Sequence, residues 1–232
     1  MHTNSAEKIY TKLMNLYGPQ GWWPIININN NNNTNNRNDY HKNDYSYPKN
    51  GSQIFEICIG AILTQNTAWP NVEKSIRNLK NSNILSPESI ISADTQIIKQ
   101  CIRPAGYFNQ KAKKLKIFSE FHLYLAGDIP SRQQLLNIWG IGPETADSIL
   151  LYAYKIPTFV VDAYTRRILT ELNIITKDET YDKIKQFFES NIKPDLKTYQ
   201  EFHALIVEHG KRHYSRNNNQ DNCLLKTLSL HR

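Results

Sequence analysis

The sequence predicts an all-α protein. Apolar residues recur at helical spacing along most of the chain, while strand-like alternation and runs of Val and Thr are scarce. The length, 232 residues, is enough for a substantial core and for one or two domains. The first helix runs from Ser5 to Tyr17, with Ile9, Leu13 and Leu16 on one face, and Gly18-Pro19 stops it. The asparagine tract from Asn27 to Asn38 is low in complexity and cannot build a core, so residues 25–53 are expected to form an Asn-rich loop. From Ile54, "IFEICIGAILTQNTAWPNVEKSIRNLK" reads as a buried helix, a polar break at Thr64–Thr67 and an amphipathic helix. Short helices continue through "SPESIISADTQIIKQCI", "NQKAKKLKIFSEFHLYL" and "SRQQLLNIW", then near Glu144–Tyr154, Ala163–Leu172, Tyr181–Ser190 and Leu196–His209. The sum is a bundle of about ten short helices.

The formal charge of +7 is moderate. A solvated surface can carry it, but together with the aromatics it favours a polyanionic partner. Three widely spaced cysteines argue against a disulfide framework, and no CxxC pair suggests zinc. The N-terminus lacks the apolar core of a signal peptide and no run is long enough to span a membrane. A soluble intracellular monomer is expected, in cytoplasm and nucleoid or in a nucleus.

The stretch "WGIGPETADSIL" is the most informative. Ser131 is an N-cap for the preceding helix, Gly140 ends that helix where φ > 0 is wanted, Gly142 turns the chain again, and Pro143 suits the first position of the next helix. The outcome is a tight helical hairpin with Ile141 tucked inward and bare backbone N–H groups at a helix N-terminus, which suit a phosphate oxygen. An ordinary αα-hairpin uses glycine in the same way. Twenty residues after Gly142, "FVVDAYTRRIL" places Asp162 between an apolar run and a helix. It is an N-cap in the simplest reading; a carboxylate fixed there also suits stabilising a developing cation and activating water.

These motifs, "LLNIWGIGPETADSILLYA" followed by "VVDAYTRRIL", resemble the helix-hairpin-helix and Gly/Pro-Asp signature of the endonuclease III superfamily of DNA glycosylases, HhH-GPD. The resemblance extends through "FEICIGAILTQNT", "RPAGYFNQKAKKL" and "EFHALIVEHGK" and, with "GWWP", looks closest to the 3-methyladenine DNA glycosylase III-like, endonuclease III-related branch. It implies a two-lobed all-α fold with a DNA-binding cleft between the lobes. Residues 54–155 are expected to form a six-helix barrel carrying the hairpin, and 1–24 plus 156–232 a discontinuous second lobe. It also implies Asp162 as the catalytic carboxylate, Gly140, Gly142 and Thr145 as phosphate-binding residues, and Gln65 and Tyr107 as the gap-filling and wedge residues. By their residue types alone, Gln65 could instead cap a helix end and Tyr107 could be a core aromatic.

Two departures from the family pattern bear on chemistry. Where bifunctional members carry the Schiff-base lysine, this chain has Glu144, which cannot form an imine, so base excision without AP lyase activity is implied. Glu144 is otherwise a first-turn carboxylate that suits the helix dipole. The C-terminal region retains only Cys223 where many relatives hold a [4Fe–4S] cluster with four cysteines, so no cofactor and no metal are expected. Lys211, in "EHGK", is a possible residue of the second-lobe pocket or simply a solvated lysine.

Trp22, Trp23 and Trp69, three of four tryptophans, lie in the Pro-flanked stretches "GWWP" and "TAWP". They are either plugs over a core or an electron-rich box for a base. A base alkylated at N3 or N7 is cationic and gains about 0.5–2 kcal/mol over an indole face. It is also already a good leaving group. The basic run Lys111–Lys116 and Arg166-Arg167 are expected to flank the DNA backbone or a solvated face. The expected activity is hydrolysis of the N-glycosidic bond of a flipped-out alkylated purine, 3-methyladenine first, in double-stranded DNA. Rival readings are a uracil, thymine-mismatch or oxidised-base glycosylase on the same scaffold, and a non-catalytic DNA-structure-binding module.

Overall fold

The computed structural model describes residues 5–26, 40–214 and 225; the Asn tract and Cys223 lie outside them. Among the described residues the fold is all-helical, with no strand. The helices are α1 (Ser5–Tyr17), α2 (Gly51–Leu63), α3 (Trp69–Asn81), α4 (Pro87–Ser92), α5 (Thr95–Ile102) and α6 (Phe108–Tyr124). They continue with α7 (Arg132–Leu136), α8 (Pro143–Ser148), α9 (Ala163–Glu171), α10 (Tyr181–Asn191) and α11 (Leu196–His213). A 3-10 turn, Arg103–Ala105, precedes α6, and a π turn, Ile149–Ala153, prolongs α8.

The chain divides into two compact units. One takes the described residues of Trp23–Tyr40 and Ser46–Tyr154, hence α2 to α8; the other takes those of Met1–Trp22, His41–Tyr45 and Lys155–Arg232. The boundary falls between the adjacent Trp22 and Trp23.

In the first unit α2 is the axial helix. Its sequence is apolar all round, which requires burial on every side, and Phe55 to Leu63 are all buried. It packs against α3, α6, α8 and the π turn. The helix starts at Gly51, before the expected Ile54, because the Asn50 side chain accepts from the Gln53 N–H at 3.0 Å and caps the first turn. Glu56 is the one carboxylate inside this helix; it is 4% exposed, takes the Ile26 N–H at 2.7 Å and pairs with Lys80 at 2.7 Å.

The second unit is built on α11, against which α1 and α9 pack. An aromatic cluster fills it: Phe159 stacks on Phe188 at 3.8 Å, and Phe202 meets both edge-on at 5.5 and 5.3 Å. Gly210 lets α9 and α11 approach closely, since a Cβ there would lie 2.2 Å from the Tyr164 ring. The buried Glu201 carboxylate takes the N–H groups of Gln20 at 2.7 Å and Gly21 at 3.2 Å and the Tyr45 hydroxyl at 3.1 Å, fixing the backbone just before Trp22.

Tyr17, on α1, reaches α11 through its hydroxyl, 2.7 Å from His209 Nδ1 and 3.2 Å from His213 Nε2. Burial, reinforced by the charges of His213 and Arg212, lowers the His209 pKa from 6.5 to about 4. Between those values the folded chain keeps His209 neutral while the unfolded chain binds a proton. The stability present above pH 6.5 is therefore lost as the pH falls towards 4. The urea midpoint should drop between pH 7 and pH 5, and less so in His209→Gln. An equal drop in the variant would remove His209 as its source.

Candidate active site

Asp162 is the N-cap of α9. Its Oδ1 accepts from the Thr165 N–H and from the Thr165 hydroxyl, both at 2.7 Å, and the Asp162 N–H reaches Thr165 Oγ1 at 3.4 Å. The capping box consumes one carboxylate oxygen; among the described residues Oδ2 accepts no hydrogen bond, and the side chain is half-buried. Capping and catalysis are thus compatible, because they use different oxygens. The charge sits at the positive end of a helix, where it is stabilised.

Within electrostatic reach of Asp162 lies His203, whose role no local sequence signal marks. It is 4% exposed on the buried side of α11. Burial lowers its pKa, and the Asp162 carboxylate pulls it the other way. Neutral, it adds no charge to offset that of Asp162. The His203 ring is edge-on to Trp22 at 5.7 Å, and the Lys211 ammonium stands 5.6 Å from the Trp22 ring centroid. Asp162, His203, Trp22 and Lys211 therefore share one neighbourhood of the α11 unit, with Lys211 exposed and Trp22 half-buried. His203 carried no local signal, since a histidine in "EFHALIVEH" reads as one more residue of a buried helix face.

The other two expected pocket tryptophans lie in the α2 unit. Trp23 is 6% exposed and packs edge-on against Trp69 at 5.5 Å and Tyr152 at 5.3 Å, over Gly60 of α2. Trp23 is thus packed as a plug: glycine at position 60 opens a slot that the indole fills. Trp69 begins α3 and is half-buried.

The hairpin forms as its residue types require. Ser131 caps α7 in a reciprocal box with Gln134, and Ile141 is buried. Gly140 has φ +85°, and a Cβ there would sit 2.5 Å from Lys114 Cε. Gly142 is different from the expectation: its backbone is extended and a Cβ would meet nothing within 4 Å, so no conformational demand explains it. Glu144 is exposed in the first turn of α8. Thr145 is 7% exposed and its hydroxyl accepts from Gln65 Nε2 at 3.0 Å, so its side chain is turned to the Gln65 loop. Gln65 Nε2 also donates to Gly140 O at 3.0 Å, joining the loop after α2 to the hairpin. Tyr107 is 67% exposed, with φ +45° at the N-cap of α6, which excludes the core-aromatic reading.

Within the expected basic flank Lys113 and Arg167 are exposed, while most of the cations are tied to the protein itself. Lys111 is 2% exposed and donates to Leu63 O and Ala105 O, Lys114 to Gln65 Oε1, and Lys116 to Ile91 O and Ala93 O. Arg166 donates to Glu179 O and Arg167 to Tyr214 O. Apart from Lys114, these cations satisfy main-chain carbonyls left over at helix ends and in turns, a demand that a charge pattern does not reveal.

The family profile for the HhH-GPD superfamily base excision DNA repair protein matches residues 59–194, which include α2's second half, the hairpin and Asp162. The chain belongs to the HhH-GPD superfamily. It is by that membership a DNA glycosylase of base excision repair. A Methanocaldococcus jannaschii protein, MJ1434, provisionally named a DNA repair glycosylase, is 40% identical over 96% of this chain and 94% of its own. A solved structure of H. pylori 3-methyladenine DNA glycosylase, MagIII, bound to 1,N6-ethenoadenine is 33% identical, with a TM-score of 0.62 over 68% of this chain and 84% of that one. An endonuclease III–DNA complex, 17% identical, shares the HhH-GPD fold with a TM-score of 0.75 over 97% of this chain and 94% of that one.

Proposed function

We propose that this HhH-GPD glycosylase is monofunctional and hydrolyses the N-glycosidic bond of a flipped-out alkylated purine in duplex DNA, 3-methyladenine foremost. The observation that carries the reading is the setting of Asp162. One oxygen is locked by Thr165 while the other is left for the reacting sugar, within electrostatic reach of the buried His203, whose ring meets Trp22. As the bond to the base lengthens, positive charge grows on the sugar. A fixed carboxylate stabilises that charge and orients the attacking water without being consumed. The Trp22 face already holds a cation, the Lys211 ammonium, and a cationic base competes for the same face. The name of the H. pylori relative supports an alkylated purine. The hairpin binds phosphate through the backbone N–H groups ahead of α8.

Glu144, at the lyase-lysine position, offers no amine for an imine. A [4Fe–4S] cluster does not fit the donor set of this chain: of three cysteines, Cys58 and Cys101 are buried in the α2 unit, leaving Cys223 alone in the C-terminal region. The reaction read here needs no metal step.

The test is base release from duplexes carrying 3-methyladenine, 7-methylguanine, uracil, T:G or 8-oxoguanine, with borohydride trapping in parallel. Release of methylated purines alone, without nicking or trapped covalent complex, is expected. Trp22→Ala should weaken release of the cationic bases by about 3- to 30-fold. Release of a neutral base instead would keep the scaffold and discard the cation argument. A trapped imine would discard monofunctionality.

A further inference from the structure

Two lysines of α6 stand three residues apart, on one face of the helix, and neither meets a carboxylate among the described residues. Lys111 Nζ donates to Leu63 O, the last residue of α2, and to Ala105 O, the last of the 3-10 turn, both at 2.8 Å. The first carbonyl anchors the loop that carries Gln65; the second anchors the turn that carries Tyr107. Lys114 Nζ donates to Gln65 Oε1 at 2.5 Å, and its stem lies against Gly140. The Gln65 amide then passes the connection on, to Gly140 O and Thr145 Oγ1 at 3.0 Å each.

We propose that Lys111 and Lys114 are positioning residues for base extrusion: one face of α6 holds the Gln65 loop and the Tyr107 turn in a single fixed geometry. The proposal rests on the glycosylase reading and on Gln65 and Tyr107 entering the duplex. A buried ammonium is costly, and an apolar side chain of similar length would fill the same space at less cost. What methylene packing cannot supply is direction. Three N–H donors tie two carbonyls from segments that are distant in sequence, so the two loop roots move only together. Burial, and then the Lys114 charge, lowers the Lys111 pKa to about 8, which reflects a charge kept at a cost. The left-handed backbone of Tyr107 is a second sign of constraint, since such a conformation persists only where its surroundings hold it. Gln65, on this view, waits in the free protein on Lys114 and the hairpin. Inserting it into DNA requires exchanging those bonds, which couples hairpin docking to loop insertion.

The experiment uses the full chain and a duplex with a tetrahydrofuran abasic analogue flanked by 2-aminopurine, whose fluorescence rises when its neighbour unstacks. Wild type, Lys111→Met, Lys114→Met, Gln65→Ala and Tyr107→Ala are compared for urea midpoint, affinity for undamaged duplex and fluorescence rise. The expected result is that both lysine variants bind undamaged duplex within about twofold of wild type and lose most of the fluorescence rise, as Tyr107→Ala does. A full rise in both lysine variants, with the rise lost in Tyr107→Ala, overturns the positioning role and leaves the loop reading intact. A full rise in Tyr107→Ala and Gln65→Ala overturns the loop reading, and the proposal with it. Parallel loss of duplex affinity and fluorescence means a merely structural role and also overturns it. If Lys111→Met does not fold, the half-buried Lys114 decides by the same readouts.

Discussion

Replacing Asp162 by asparagine is expected to slow single-turnover base release by about 10²- to 10³-fold, the scale of losing one preorganised electrostatic group. The fold should be untouched. Asparagine caps a helix as well as aspartate does, and its oxygen can still accept from the Thr165 N–H that Asp162 Oδ1 takes at 2.7 Å. Only the charge disappears, and with it the stabilisation of the cationic sugar. Duplex affinity should hold or rise slightly, because a negative charge has been removed from a DNA-binding protein. The measurement is single-turnover release at saturating enzyme, with anisotropy for binding and a urea curve for stability. A rate within threefold of wild type would move the chemistry away from α9 altogether. Equal loss of binding and rate would mean that Asp162 shapes the site rather than acting in it.

The second large effect concerns the hairpin. Asp147, on α8, is fully buried and takes Arg132 of α7 in a fork, Nε to Oδ1 at 2.9 Å and Nη2 to Oδ2 at 3.1 Å. This pair ties together the two helices flanking the Gly140 turn. Arg132→Met leaves the buried carboxylate without its guanidinium, and removing one partner of a buried pair costs about 3–5 kcal/mol. The Arg132 side chain keeps 31% of its surface in solvent, so the lower end of that range is expected. The urea midpoint should fall accordingly, with weaker binding to any duplex as the hairpin loosens. Adding Asp147→Asn should recover much of the loss, because the uncompensated charge is then gone. A single variant as stable as wild type would show that water reaches Asp147 and that the pair contributes little.

Much of this was legible in the chain. Helix positions follow from apolar spacing. The Ser131 cap, the positive φ at Gly140 and the N-cap role of Asp162 follow from residues that are neighbours in sequence, and each is found. Tyr107 was legible as a protruding aromatic only through the resemblance, since periodicity alone left a core position open.

Other features were not legible, for definite reasons. "QKAKKLK" reads as a solvated basic face, yet Lys111 is buried because the ends of α2 and the 3-10 turn bring two unsatisfied carbonyls to it, 48 and 6 residues away. Trp22 and Trp23 are adjacent and alike in sequence, yet the unit boundary runs between them, so one faces His203 and Lys211 and the other fills a slot at Gly60. His203, within electrostatic reach of Asp162, comes from a helix that begins 34 residues after that aspartate, counted from 162 to Leu196.

The sequence by itself determined the helical class, the hairpin and the place of the carboxylate, because caps, turns and amphipathic faces are settled by residues within one or two turns of each other. Only the tertiary structure decided which lysines are structural, which tryptophan is a plug and which histidine comes within electrostatic reach of the carboxylate. Those outcomes depend on where distant helix ends meet, and a buried polar group takes whatever partner the packing leaves within hydrogen-bonding reach.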